Sequence, residues 1–487
     1  MFRKPDVVDS GNIIADCRGP QQSGSTSDYN ERPILWLLPC PLAWCLPMSC
    51  LLRISLLSVV CASLLAGCEA RRGPNVAAAV AVTVVAPPSQ TTSAAAPAPN
   101  QPAAGQAAAT KTTEPKKPLT DAELADGWIS LFDGQTLFGW KAASKANWSV
   151  TDGTIRVSDG EKGLLCTTVP FDNYVLKAEF RAAKGTNSGI FLRTAAVPGM
   201  DDIKTKCYEL NIAPPDNPFP TGSFVQRQKG KEVPERADQW QSYEVTLDGP
   251  KAMVKLNGEE VLSYVDPAPV SRGLIGLQLN TGAVEFRNLK LKPLGLAPLF
   301  NGKDLAGWKG HPESKSKFVV TEKGELNVTS TGRGCIESEA QFGDFVLQLE
   351  CISHAPSLNS GLFFRCIPGE FMNGYESQIH NGIKNGDRTQ PVDCGTGGIF
   401  RRVNARLVNA NDKEWFTKTI IAAGPHMSVW VNGYQVTDWT DERQPDKNPR
   451  DGLRLERGTL QIQGHDPTTD LSFRNLRARE LAGNSME

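Results

Sequence analysis

Tyr174-Val175-Leu176-Lys177-Ala178-Glu179-Phe180-Arg181 alternates apolar and polar side chains, the period of a strand with one face in a core. Tyr174, Leu176, Ala178 and Phe180 share the core face. Phe345-Val-Leu-Gln-Leu-Glu350 repeats the alternation. Asn257-Gly258 and Asn432-Gly433 follow the alternating runs Ala252-Met-Val-Lys-Leu256 and Met427-Ser-Val-Trp-Val431. Asn-Gly suits the positive φ that tight hairpin turns require. No stretch carries a long 3.6-residue period, and Gly and Pro number 44 and 34. Many short strands joined by Gly-rich turns predict an all-β chain built as a sandwich.

The same landmarks occur twice. Leu131-Phe-Asp-Gly-Gln-Thr-Leu-Phe-Gly-Trp140 returns as Leu299-Phe-Asn-Gly-Lys-Asp-Leu-Ala-Gly-Trp308. Asn187-Ser-Gly-Ile-Phe-Leu-Arg193 returns as Asn359-Ser-Gly-Leu-Phe-Phe-Arg365, and Tyr208-Glu-Leu-Asn-Ile212 as Tyr375-Glu-Ser-Gln-Ile379. Thr221-Gly222, Trp240, Asn257-Gly258 and Phe286-Arg-Asn-Leu289 match Thr396-Gly397, Trp415, Asn432-Gly433 and Phe473-Arg-Asn-Leu476. The offsets run from 167 residues (208 to 375) to 187 (286 to 473), too long a period for a solenoid. This is a tandem duplication, with residues 121–294 as the first domain and 295–487 as the second. Only Pro293 to Pro298 separates the copies, so they are expected to pack side by side.

The chain of 487 residues has 52 Lys plus Arg against 53 Asp plus Glu, a net charge of −1. No basic excess is present to neutralise a run of phosphates, which argues against a dedicated nucleic-acid binder. Met48 to Cys68 reads as an export signal. Arg53 precedes an apolar run from Ile54 to Leu65 that is too short to span a bilayer. It ends in Leu65-Ala66-Gly67-Cys68, which is similar to a bacterial lipobox, in which the Cys thiol takes a diacylglycerol and cleavage falls before it. A buried apolar segment is the alternative. Asp6, Asp9, Asp16 and Glu31 make residues 1–47 a poor n-region, so translation is expected to start at Met48. Residues 1–67 are thus the signal region and Cys68 the lipid site, with Glu69 after it favouring the outer over the inner membrane. Residues 68–120, rich in Ala, Pro and Thr, are expected to be a disordered tether. Six cysteines lie beyond it. Cys351 and Cys366 flank an expected hairpin and are the candidate disulfide, with two isolated buried thiols as the alternative. No C-x-x-C pair indicates zinc.

The ordered set L-F-[DN]-G-x-x-L-x-G-W, N-S-G-[IL]-F-x-R, Y-E-x-[QN]-I, T-G, N-G and F-R-N resembles the 3-keto-disaccharide hydrolase domain family, over residues 126–294 and again over 297–480. The resemblance implies two concanavalin-like jelly-roll sandwiches and activity on glycosides oxidised to a ketone at C3. The same sandwich also serves as a pure binding module, so a non-catalytic carbohydrate-binding or envelope scaffold protein is the alternative.

A C3 ketone acidifies the proton at C2. A base can remove it, and the enolate then expels the C1 substituent. Water adding back makes the net result hydrolysis. Such a site needs a base, a group for the enolate oxygen and an acid for the leaving oxygen. All five histidines (His311, His354, His380, His426 and His465) fall in the second copy, which makes it the better catalytic candidate. The expectation is that residues 296–487 alone keep the activity. Period two puts Glu376, Gln378 and His380 on one strand face. Glu376 or His465 is the candidate base, with His380 for the leaving oxygen and Arg365 with Gln378 for the enolate. Asn359, Arg401 and Gln463 are further candidate sugar contacts, with Asn187, Arg193, Glu209, Asn211 and Gln278 in the first copy. A Glu376–Arg365 ion pair is the plain structural alternative. No cofactor is expected. Asp393, Asp466 and Asp470 are candidate Ca²⁺ ligands, though no spaced ligand loop supports them.

Overall fold

A computed structural model describes residues 112–483. The signal region, Cys68 and the tether up to residue 111 lie outside the described residues.

The chain folds as two jelly-roll sandwiches in tandem. Each stacks an eight-stranded antiparallel sheet on a five-stranded one. In the first copy the smaller sheet runs Trp140–Ala142, Gly163–Thr167, Leu274–Leu279, Ser188–Thr194, Tyr208–Ile212. In the second it runs Trp308–Gly310, Gly334–Phe342, Gly458–Gly464, Ser360–Cys366, Tyr375–Ile379, the same order. A two-stranded ribbon, Ile383–Lys384 with Asp387–Pro391, is added to the second copy.

The alternation in Tyr174–Ala182 does what its period requires: Tyr174, Leu176, Ala178 and Phe180 are at most 1% exposed. They meet Ile190, Leu192 and Leu277 of the facing sheet. Each Leu, Ile or Phe among them contributes roughly 1.5–3 kcal/mol by leaving water. Phe345–Ser353 differs, because both its faces are buried. Phe345, Leu347 and Leu349 enter the second core, while Val346 joins the first. Gln348 on that outer face donates through Nε2 to the Gly127 carbonyl of the first copy (2.8 Å). The first core continues through Ile421, Trp430 and Leu481, so apolar packing runs across the seam.

Two expectations need correction. The end of the predicted tether is structured against the second sandwich. Thr112 and Thr113 carbonyls accept from Arg388, and Lys116 exchanges two hydrogen bonds with Asn409. Leu119 is buried against Gly433. These residues find acceptors and an apolar seat that composition alone does not reveal. Cys351 and Cys366 form no disulfide. Their strands belong to opposite sheets, Cys351 sits in the second core and Cys366 on the outer side of the smaller sheet, and all six cysteines described are free.

Candidate active site

The site forms on the outer face of the second copy's five-stranded sheet, and the repeated motifs build it. Tyr375 fixes the start of its strand by donating to Asp441 (2.7 Å), as Tyr208 does to Asp266 (2.7 Å). In the Asn-Ser-Gly motif, Ser360 Oγ donates to the carbonyl of Gln463 (2.7 Å), tying the neighbouring strand in place. Gly361 leaves room for Glu376, since a Cβ there would lie 2.7 Å from its Cγ and Oε1. The Thr-Gly segment forms the far edge: Gln378 N donates to Gly398 O and Gly397 N to Gln378 O, both 2.9 Å. Gly397 has φ +94°, and a Cβ would meet Val436 Cγ2 at 2.5 Å, so glycine is required.

Tyr375 and Ile379 enter the core, and Glu376, Gln378 and His380 take the opposite face. Glu376 is 5% exposed. Its partner is Arg450 Nη2 at 3.4 Å, which also donates to the Met372 carbonyl. The Arg450 guanidinium lies over the Phe363 and Phe400 rings at 5.1 and 5.9 Å. Burial pushes the Glu376 carboxyl up to about 7; Arg450 and His465 pull it down, and Asp393 adds to the rise. Gln378 Nε2 donates to Asn359 Oδ1 (3.1 Å) and Asp393 Oδ2 (2.9 Å). Gln463 Nε2 reaches Met372 Sδ at 3.4 Å. The buried amide oxygens of both Gln378 and Gln463 have no partner among the described residues. Two orphaned acceptors beside a carboxyl suit a ligand rich in hydroxyl groups.

His465 Nδ1 pairs with Asp466 Oδ2 (2.8 Å), and Nε2 has no hydrogen bond among the described residues. His380 Nδ1 accepts from Gly382 N (3.1 Å), which assigns the proton to Nε2. Arg401 is exposed, with its guanidinium 5.2 Å from the Phe400 ring.

Arg365 is not in this cluster. It is fully buried with φ +48°, at a register break between Phe363 and Cys366. The bulge turns its side chain away from the Glu376 face. Nε donates to Gly343 O (2.9 Å), Nη1 to Gly424 O and Arg454 O (2.8 and 3.2 Å), and Nη2 to Asp344 Oδ1 (3.0 Å). Arg193 repeats the arrangement on Asp172 O, Gly249 O, Val270 O and Asn173 Oδ1, with φ +50°. Both arginines brace loops, and the Glu376–Arg365 ion pair does not exist.

The first copy keeps part of the cluster. Gln278 Nε2 donates to Glu209 Oε1 (3.1 Å), and burial pushes Glu209 up to about 7 as well. The Asn211 and Gln278 amide oxygens are again orphaned. Asn187 bridges Thr281 through its backbone. Here the outer face is roofed by Ile203 of the short helix Asp202–Thr205, packed on Leu164, Cys166 and Phe191. Among the described residues no cation corresponds to Arg450 at Glu209. Sequence reasoning missed Arg450 and Met372. The signal for Arg450 is the longer connection ahead of Gly458–Gly464, with Arg443, Arg450, Arg454 and Arg457, where the first copy has eight residues, 266–273.

Other surface clefts lie away from this cluster. One of about 340 Å³ is lined by Arg156, Arg181 and Glu285, which are consumed in mutual ion pairs of 2.8 and 2.5 Å. Another, of about 470 Å³, lies among Pro298, Phe300 and Asn475. Neither gathers a buried carboxyl and unpartnered amides. Among the described residues no cluster of His, Cys, Asp or Glu suits a metal ion.

Two tandem jelly-roll sandwiches, each with a carboxyl–amide cluster on the outer face of its smaller sheet, define the class of protein. The chain belongs to the 3-keto-alpha-glucoside-1,2-lyase-like domain family, whose pattern it matches at residues 127–292 and 295–479. A 3-keto-disaccharide hydrolase from Bacteroides thetaiotaomicron is 36% identical over 89 residues, covering 16% of this chain. The chain spans about a third of that relative's length (31%). A Parabacteroides distasonis structure, provisionally assigned as a glycosyl hydrolase, aligns at 22% identity over 36% of this chain and 98% of its own, with TM-score 0.33. The carbohydrate-binding module CBM66 from Bacillus subtilis aligns at 15% identity over 36% of this chain and 95% of its own, with TM-score 0.26.

Proposed function

We propose that the second sandwich cleaves glycosides carrying a ketone at C3. Glu376 takes the C2 proton, the electrons form the C2–C3 enolate, and Arg450 stabilises the oxygen at C3. The C1–O bond then breaks, and the leaving oxygen takes a proton from His465 or His380, giving a 1,2-unsaturated 3-keto sugar. Water adding across that double bond returns the proton to C2 and places a hydroxyl on C1. The observation that carries this reading is a buried carboxyl near neutral pKa beside a cation and two orphaned amide oxygens. Arg450 takes the role that the sequence assigns to Arg365. Incubation with 3-keto-glucosides, against the unoxidised glucosides, should release aglycone from the former alone, with deuterium entering C2 in D₂O. Glu376→Gln should lower turnover by roughly 10²–10⁴-fold. Unchanged turnover in that variant would remove Glu376 as the base. Retained glycan binding without turnover of any 3-keto substrate would favour the binding-module alternative.

We propose further that a lipid on Cys68 holds the chain in the cell envelope, at the outer membrane. The support is the sequence from Arg53 to Glu69. A fatty-acid probe should label the full chain and not Cys68→Ser; equal labelling would end the proposal.

A further inference from the structure

Beneath the Glu376 strand, between the two sheets, stands Lys418, 1% exposed and flanked by the core residues Phe416 and Ile420. Its Nζ donates to the carbonyls of Ser377 (2.9 Å) and Gln378 (3.0 Å). No carboxylate lies within ion-pair distance of it among the described residues. An amine desolvated without a counter-ion is costly. The first copy shows that the fold does not need one there. Tyr243, three residues after Trp240 as Lys418 is three after Trp415, reaches the matching carbonyl of Asn211 with its hydroxyl (2.7 Å). Tyr243 stacks on Phe180 at 4.8 Å, and the residue matching Phe180 is Cys351. The second copy has thus exchanged a comfortable aromatic pair for a thiol and an amine. A hydrogen bond to the strand does not explain the exchange, since tyrosine makes it. What lysine adds is charge, and it adds it only under the copy that carries the histidines and Arg450.

We infer that Lys418 is a positioning residue whose ammonium holds the Ser377–Gln378 backbone and supplies positive charge that favours the ionised form of Glu376. The titratable groups facing it are Cys351 on the adjacent strand, Cys394 on the turn below and Glu376 itself. Burial pushes the Lys418 amine down to about 7, opposed by those three groups. The Lys418 amine and the Glu376 carboxyl thus exchange protons over the same range, near pH 7, and the charged form of each favours the charged form of the other. The two titrations belong to one coupled system. This inference rests on reading Glu376 as the acid–base group, not on the sugar chemistry.

The test is the carboxyl titration of Glu376 in the full chain, followed by ¹³C NMR with labelled glutamate, the signal assigned by its loss in Glu376→Gln. Lys418→Tyr keeps the hydrogen bond with a side chain the first copy already uses, and Lys418→Met removes both bond and charge. The midpoint of Glu376 should rise by about one pH unit in Lys418→Tyr, the size expected of one charge at an effective dielectric near 20. The acid limb of kcat/KM should move with it. An unmoved midpoint in folded Lys418→Tyr overturns the inference, even if Lys418→Met is shifted, because the bond alone would then account for the lysine. Should the wild-type chain turn over no 3-keto glycoside, the functional reading falls, while the NMR titration still decides the role of Lys418.

Discussion

Arg365 and Glu376 lie on neighbouring strands and do opposite work. Arg365 uses all three guanidinium nitrogens on loop carbonyls and one carboxylate, with no solvent exposure. Removing it strands those acceptors in the interior, so Arg365→Met should destabilise by roughly 3–5 kcal/mol, with activity tracking the folded fraction. Arg193→Met should cost about as much in thermal melts; a large rate loss in fully stable Arg365→Met protein would contradict this. Glu376 is the reverse case. Its pKa is raised by burial from 4.5 to about 7, so the folded state favours the protonated form. The unfolded chain releases that proton near pH 4.5, and stability contributed by the neutral carboxyl is lost as pH rises from there through 7. Glu376→Gln should therefore be the more stable protein at pH 8, by roughly 2–3 kcal/mol, and the gap should close below pH 5. Denaturant melts across that range check it. A variant less stable at pH 8 would mean that the Arg450 contact outweighs desolvation.

At the scale of the strand, period two was enough wherever the strand is regular. Tyr375–Ile379 has no bulge, so its alternation fixes which side chains share the outer face. Ser360–Cys366 has one, and a single extra residue reverses every side chain after it. The expectation that Arg365 joins Gln378 at the enolate therefore fails, although their strands are neighbours. A sign was available: arginine stands at both 193 and 365, although the two copies differ in the polar groups that chemistry would need. A residue kept in a copy without histidines is more economically read as part of the scaffold. Arg450 was out of reach for another reason. It meets Glu376 from 74 positions downstream, on a loop whose path no periodicity encodes. Lys418 was hidden by its pattern, since an inward position in an apolar strand does not announce an amine. Motif glycines were legible as turns, yet Gly361 is there to admit Glu376 and Gly397 to let the chain pass Val436.

Across the whole molecule, the duplicated sandwiches are not interchangeable. Ser130 N of the first copy donates to Gly433 O of the second (2.9 Å), and its carbonyl accepts from Trp430 Nε1 (2.9 Å). Asp133 pairs with Arg406 at 2.8 Å, and Phe138 stacks on the same guanidinium at 4.1 Å. At the matching positions the second copy has Pro298, Asn301 and Ala306, which offer no backbone donor, no charge and no ring. Among the described residues, these seam contacts of the first copy are thus not repeated by the second. The same seam ties Arg479 to buried Asp172 with both oxygens at 2.5 Å, and the strap at Thr112 and Thr113 closes over Arg388. A fragment of residues 296–487 loses all of these partners together. It exposes Val346, Ile421 and Trp430 from the shared core and removes the Gly127 acceptor of Gln348 and the Ser130 acceptor of the Trp430 indole. Water replaces those acceptors, so the cost comes from the lost apolar burial, about 25 cal/mol for each Å² uncovered. The second copy alone is therefore expected to melt at least about 10 °C below residues 112–487, or to aggregate, whatever its catalytic equipment. Residues 112–487 should instead unfold in one transition, with near-UV circular dichroism and calorimetry coinciding. A fragment of 296–487 that melts with the longer chain would show the seam to be incidental, and the histidine-bearing sandwich could then be studied by itself.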